Sequence, residues 1–201
     1  MNRIGFKSVL LITLIVIIGL ASISYAEEYK ADFSKWKSVS GKWKVLDGGY
    51  ENSDVVLGNT NSYMELKQEG TEFVYEWTIE LGKTTFEWGP AVGMHILCSE
   101  ATSPNRGKSY LIFQDDRAVR VYKADGNSLP EVLTINLSSK VGETHTYKVE
   151  FNTKTGLMKV FRDGKEIGQW RDLMPIKSGN FISARTNGTF ATYKDVTVTM
   201  K

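Results

Sequence analysis

The spacing most suggestive of bond-making chemistry is Glu76-Trp77-Thr78-Ile79-Glu80. In an extended chain, residues four apart lie on one face, so Glu76 and Glu80 would stand on the same side of a strand. Two carboxyl groups about 5 to 5.5 Å apart would suit a retaining glycosidase. Plain alternation in a half-exposed strand also puts Glu and Thr at these positions. The chain has one cysteine, Cys98, so an intramolecular disulfide framework and a four-cysteine metal cluster are excluded. A thiol nucleophile would need an oriented histidine, and only His95 and His145 exist. Neither has an obvious acidic partner in its sequence context, so Cys98 reads as a small buried hydrophobe. No loop carries the dense oxygen-ligand spacing of a calcium site. Asn136-Leu137-Ser138 and Asn187-Gly188-Thr189 are glycan acceptors only in a eukaryotic host.

These residues must be positioned by strands, because period two dominates the chain and helical periodicity appears nowhere at length. Phe73, Tyr75, Trp77, Ile79 and Leu81 alternate with Val74, Glu76, Thr78, Glu80 and Gly82, which predicts one core face and one wet face. Residues 91–98 alternate Val92, Met94, Ile96 and Cys98 with Ala91, Gly93, His95 and Leu97, a second face that is not cleanly polar. Further strands are expected over 109–114, 118–123, 132–137, 145–152, 157–162, 165–170, 179–185 and 189–200. Between them stand turn residues suited to positive φ, among them Asp47-Gly48-Gly49, Asp163-Gly164 and Asn187-Gly188. Phe161 and Ile167, flanking the Asp163-Gly164 turn, are expected to pack inward. Short strands joined by tight turns every 8 to 12 residues or so describe an antiparallel two-sheet sandwich or a barrel.

The first 26 residues read differently. Arg3 and Lys7 precede an apolar run at 9–20, and Ser24 and Ala26 place small residues before Glu27, the pattern of a secretory signal peptide. The alternative is a retained anchor over 8–26, a stretch just long enough to span a membrane. Either reading exports residues 27–201 as one domain, secreted or periplasmic. The full chain of 201 residues carries 25 Lys and Arg against 23 Asp and Glu. Arg3 and Lys7 are the only charges in the leader, so the remaining 175 residues balance at 23 against 23. A neutral domain has no net field to gather nucleic acid, anionic lipid or a strongly acidic polymer.

The order Asp32-Phe33 with Trp36, Ser40-Gly41-Lys42-Trp43, Asp47-Gly48-Gly49-Tyr50, Gly93-Met94-His95-Ile96, Ser109-Tyr110, Thr146-Tyr147-Lys148-Val149, Phe161-Arg162-Asp163-Gly164, Ser178-Gly179-Asn180-Phe181 and Tyr193-Lys194-Asp195-Val196 resembles the concanavalin A-like lectin/glucanase superfamily. Within it, the chain is most similar to laminin-G-like and levan-type carbohydrate-binding modules of exported bacterial proteins. The resemblance implies an all-β, antiparallel jelly-roll sandwich that binds ligands on the concave face or the rim loops. Sugars are held by aromatic rings against their C–H faces and by planar polar groups on their hydroxyls. The ligand-binding candidates are Trp88, His95, Arg106, Tyr110, Gln114 and Arg185. In the related modules the strand matching 93–99 commonly ends in a ligand-bonding arginine, where Cys98 stands here; a thiol cannot replace a bidentate guanidinium. The superfamily's family 16 glycoside hydrolases use Glu-x-Asp-x-Glu, but Thr78 replaces the central aspartate between Glu76 and Glu80.

The resulting expectation is an exported, non-catalytic carbohydrate-binding domain whose partner is a glycan or polysaccharide. The alternatives are a protein-interaction or structural sandwich and a glycoside hydrolase of the family 16 type. No cofactor is required; the resemblance allows a structural calcium supplied by Asp195 or Asp32 near the termini. Nucleic-acid binding and membrane insertion after signal cleavage are not expected.

Overall fold

The computed structural model describes residues 26–87 and 89–201. All but the last residue of the expected leader, and the candidate Trp88, lie outside the described residues.

Among the described residues fifteen strands follow one another: β1 (Glu27–Lys30), β2 (Lys37–Ser40), β3 (Trp43–Leu46), β4 (Gly49–Asn52), β5 (Thr60–Glu69), β6 (Glu72–Thr84), β7 (Val92–Cys98), β8 (Lys108–Gln114), β9 (Val119–Asp125), β10 (Glu131–Ile135), β11 (Thr144–Asn152), β12 (Leu157–Arg162), β13 (Lys165–Arg171), β14 (Ser178–Thr186) and β15 (Thr189–Met200). They form two antiparallel sheets of an all-β jelly-roll sandwich. One has eight strands in the order β13-β12-β11-β6-β15-β4-β3, with β1 also on β15; the other has seven in the order β10-β9-β8-β7-β14-β5-β2. Only two 3₁₀ turns, Phe33–Lys35 and Pro104–Arg106, interrupt the strands among the described residues.

The predicted row on β6 is the centre of the eight-stranded sheet, and Phe73, Tyr75, Trp77, Ile79 and Leu81 are all fully buried. It sits between β11 and β15, whose Tyr147, Val149, Phe151, Tyr193 and Val198 continue the apolar face. Val92, Met94, Ile96, Ile112, Val119, Val121, Ile182 and Ala184 supply the facing layer from the seven-stranded sheet. Each such side chain contributes about 1.5 to 3 kcal/mol through burial, and this core must hold a fold that has no disulfide.

Turn chemistry behaves as the residues dictate at the β12–β13 hairpin, where Asp163 (φ 52°) and Gly164 (φ 79°) both take the left-handed conformation a two-residue hairpin needs. Phe161 departs from expectation. It pairs with Lys148, an outward position of β11, and follows inward Val160 in plain alternation, so its ring faces the outer surface with Lys148 Nζ 4.1 Å from the centroid, while the bulge opposite it falls at Ile167 of β13. Ile167 is partly buried against the core, as expected.

A candidate ligand face on the seven-stranded sheet

Strand register places the functional side chains. Inward positions of the seven-stranded sheet are mostly apolar, with Thr60, Ser62, Gln68 and Gln114 as buried exceptions, and two outward rows matter for the site. In one, Asn61 of β5, Arg185 of β14, Gly93 of β7, Phe113 of β8 and Arg120 of β9 are neighbours. In the next, Tyr63, Ser183, His95, Leu111 and Tyr122 align. Gly93 leaves no side chain between Arg185 and Phe113, and the guanidinium carbon lies 5.7 Å from the Phe113 ring centroid. A Cβ on Gly93 would come within 2.1 Å of the Ile112 carbonyl, so the close approach depends on glycine.

A cavity of about 420 Å³ opens over the first row. Phe113 and Tyr122 come from the sheet, Phe86 and Gly89 from the β6–β7 loop, Asp115, Asp116 and Arg117 from the β8–β9 turn, and Asn187 from the β14–β15 turn. Its charges are internally balanced: Arg120 pairs with Asp115 and lies 3.1 Å from Glu131, while Arg117 lies 3.6 Å from Asp116. Three aromatic rings beside planar amide, carboxylate and guanidinium groups can grip a ring with an apolar face and a hydroxylated edge.

A second cavity, about 290 Å³, is lined by Arg185, Asn59, Asn61, Arg106 and the 102–105 segment, and the Arg185 guanidinium lies over Phe113 of the first. The loop carrying Arg106 folds across the sheet, anchored by Asn105. The Asn105 carbonyl accepts from Ser109 Oγ at 2.7 Å, and its Nδ2 donates to the Gly126 carbonyl at 3.2 Å. Asn105 (φ 53°), Arg106 (φ 64°) and Gly107 (φ 65°) are consecutive left-handed residues, a strained run that turns Arg106 inward.

Of the sequence candidates, His95, Arg106 and Arg185 share this outer face. His95 is fully buried; its Nδ1 lies 2.9 Å from Ser109 Oγ. Ser109 spends its proton on Asn105, so Nδ1 must carry the hydrogen. Burial, followed by the charges of Arg185 and Arg106, holds His95 well below the usual histidine range, so the ring is neutral. Tyr110 and Gln114 point the other way, between the sheets. Tyr110 donates to Asp172 Oδ2 at 2.6 Å and accepts from Ile176 N–H at 3.0 Å. Gln114 Oε1 accepts from Tyr147 at 2.7 Å, and its Nε2 donates to the Leu137 carbonyl at 3.2 Å. Both are saturated core polar groups that do not reach the ligand face.

Glu76 and Glu80 are exposed on the outer face of the eight-stranded sheet, across the sandwich from both cavities, and Lys194 Nζ donates to Glu80 at 3.2 Å. Cys98 is buried, with its thiol pushed far up by burial. His145 does have acidic partners: Nδ1 lies 2.8 Å from Asp163 and Nε2 3.2 Å from Glu143, on a strand of the other sheet from Cys98. Asp32 and Asp195 line one cleft. Asp32 Oδ1 accepts from the Ser34 amide and hydroxyl, and its Oδ2 lies 3.5 Å from Lys35 Nζ. Among the described residues no group of three acidic, histidine or cysteine side chains converges.

Sequence reasoning placed Asn187 beside Arg185 at a rim turn but missed Phe86, Phe113, Arg120 and Tyr122 as lining residues. The parity of Arg120 and Tyr122 against the apolar Val119 and Val121 was a usable signal; for Phe113 there was none, since β8 is buried on both faces.

Comparison with solved structures assigns the fold. The chain is similar to the carbohydrate-binding module CBM66 of Bacillus subtilis (TM-score 0.66, 16% identity, over 81% of this chain and 93% of that one). It is also similar to the Emp47p carbohydrate recognition domain (0.59, 14%, 84% and 89%) and to a putative glycosyl hydrolase from Parabacteroides distasonis (0.55, 14%, 83% and 88%). No family model and no curated protein matches the sequence. The fold is that of the concanavalin A-like lectin/glucanase sandwich. No helix among the described residues is long and apolar enough to cross a membrane.

Proposed function

We propose that the chain is an exported, non-catalytic glycan-binding domain that holds its sugar on the outer face of the seven-stranded sheet. The observation that carries this reading is the cavity that sets Phe86, Phe113 and Tyr122 beside Arg120, Asp116 and Asn187. Aromatic faces take up the apolar side of a pyranose or furanose ring, while the amide and charged groups bond its hydroxyls. Trp88, the aromatic candidate of the sequence, directly precedes Gly89, which lines the cavity. The fold shared with a carbohydrate-binding module and a lectin recognition domain supports the same class of ligand.

The placement of Glu76 and Glu80 on the opposite sheet supports binding without hydrolysis. Asp32 and Asp195, the calcium candidates, lie outside both cavities, so the reading routes no sugar contact through a metal and EDTA is expected to leave binding unchanged. A glycan array followed by titration calorimetry tests the proposal. Tyr122→Ala and Trp88→Ala should each weaken binding about three- to tenfold, the loss of a stacked ring, with the fold intact. Release of reducing ends that disappears in Glu76→Gln would replace the proposal with the hydrolase reading. A second reading, docking to a protein partner, is favoured by Leu173 and Met174, which are 88% and 80% exposed in the β13–β14 loop. Loss of a co-purifying extracytoplasmic partner on Leu173→Ser would support it.

A further inference from the structure

The two cavities on the ligand face differ in charge. Arg117 and Arg120, in the larger, are each matched by a carboxylate. Arg106 and Arg185, in the smaller, have no carboxylate at ion-pair distance among the described residues. Arg185 donates only to neutral amide oxygens, those of Asn59 and, at 3.4 Å, Asn105 among them. Arg106 spends Nη1 on the Ala101 and Ser103 carbonyls at 2.8 and 3.1 Å, while its Nε is buried with no acceptor. The residue is only 4% exposed.

A buried guanidinium without a counter-charge is costly, because desolvation is not returned by an ion pair. Arg185, partly buried in the same cavity, adds mutual repulsion. Burial and then the Arg106 charge bring Arg185 down to about 10, and burial also lowers Arg106. Both remain cationic near neutrality, so the smaller cavity is a local positive site within a chain whose mature charge is balanced. Planar guanidinium forks match a carboxylate's two oxygens, and an amide-lined wall from Asn59 and Asn61 suits the hydroxyls beside it.

We propose that the Arg106–Arg185 cavity is a subsite for a carboxylate carried on the glycan, as in a uronic or other acidic sugar, with the adjoining sugar ring in the aromatic cavity. This deepens the glycan-binding reading and rests on it. A single acidic substituent fits here; a polyanion does not, because Asp115 and Asp116 lie in the neighbouring cavity.

The test uses the purified protein with oligosaccharides of galacturonate, glucuronate and N-acetylneuraminate, each beside its carboxyl methyl ester, neutral polysaccharides and a sulfated glycan. At least one acid should bind about tenfold or more tighter than its own ester, the worth of a charge-assisted pair. Asn59→Asp decides the mechanism. Asn59 is exposed, and its Oδ1 already accepts from Arg185, so the change leaves the fold intact and supplies the missing counter-charge in place. It should abolish the preference of the acid over its own ester. Arg185→Lys should reduce the preference by losing the fork but not the charge. Equal binding of acid and ester in every pair, or an acid preference that survives Asn59→Asp, overturns the subsite and leaves the glycan reading standing. Preference for the sulfated glycan over every carboxylate overturns the carboxylate assignment. Binding to no glycan of either kind overturns the glycan reading itself.

Discussion

Trp77→Ala probes the layer that holds the ligand face in place. Trp77 is 1% exposed in the middle of β6, its ring 5.8 Å from that of Tyr147 and nearly parallel to it, with an interplanar angle of 21°. Truncating a large buried aromatic costs about 3 to 5 kcal/mol through lost transfer and the cavity left behind. One feature moves the expected figure to the low end: the indole N–H has no acceptor, so the wild type already bears an unsatisfied donor, a penalty of about 1 to 3 kcal/mol that truncation relieves. Trp77→Ala should therefore cost about 3 kcal/mol, and Trp77→Phe, which keeps a ring and drops the orphan donor, no more than about 1 kcal/mol. At about 2 to 4 °C per kcal/mol for a domain of this size, the melting midpoints should fall by about 6 to 12 °C and by less than about 4 °C. Guanidinium titration followed by far-UV circular dichroism reads both. A loss below about 1 kcal/mol for Trp77→Ala would mean that this row is not the inter-sheet core and that Glu76 and Glu80 do not face outward. Equal losses for Ala and Phe would refute the unsatisfied-donor argument.

Asp172 is the acid that ties the interior to solution pH. It accepts from Tyr110 and, at 2.7 Å, from Lys123; burial raises its carboxyl, but the Lys123 and Tyr110 bonds outweigh that and leave it below the usual range. A depressed folded-state value stabilises above the unfolded value of about 3.9 and is lost as pH falls through the folded one. Acid melting curves should show this loss below about pH 3.9, and Asp172→Asn should flatten that limb while destabilising the protein by about 2 to 3 kcal/mol at neutral pH. Cys98, buried and held in its thiol form, should resist a thiol-specific chromogenic reagent in the native protein and react once guanidinium unfolds it.

How far the sequence carried depended on how sharply each strand distinguishes its faces. β6 reads correctly because Glu76, Thr78 and Glu80 alternate with large apolar groups, and the hairpin turns read correctly because Asp163-Gly164 can be little else. The strands before Phe73 are short or polar on both sides. Thr60, Ser62 and Asn52 are buried but satisfied by Thr186, Tyr50 and Thr189, which no local pattern reveals. β8 failed for the opposite reason: Ser-Tyr-Leu-Ile-Phe-Gln is apolar on both faces, so parity could not separate inward Tyr110 and Gln114 from outward Phe113. On β7, Leu97 takes φ 51° and breaks the alternation, so Ile96 and Leu97 both enter the core. The pairing of Arg106 with Arg185 depends on a loop folding back over a sheet, information that exists only in three dimensions.

The central claim is that a glycan occupies the outer face of the seven-stranded sheet, and backbone chemical-shift mapping of the ¹⁵N-labelled protein titrated with the best array ligand tests it most directly. The account predicts saturable shifts concentrated at Phe86, Phe113, Arg120, Tyr122, Arg185 and Asn187. Shifts centred instead on Glu76, Glu80 and Lys194, on the outer face of the eight-stranded sheet, would contradict it.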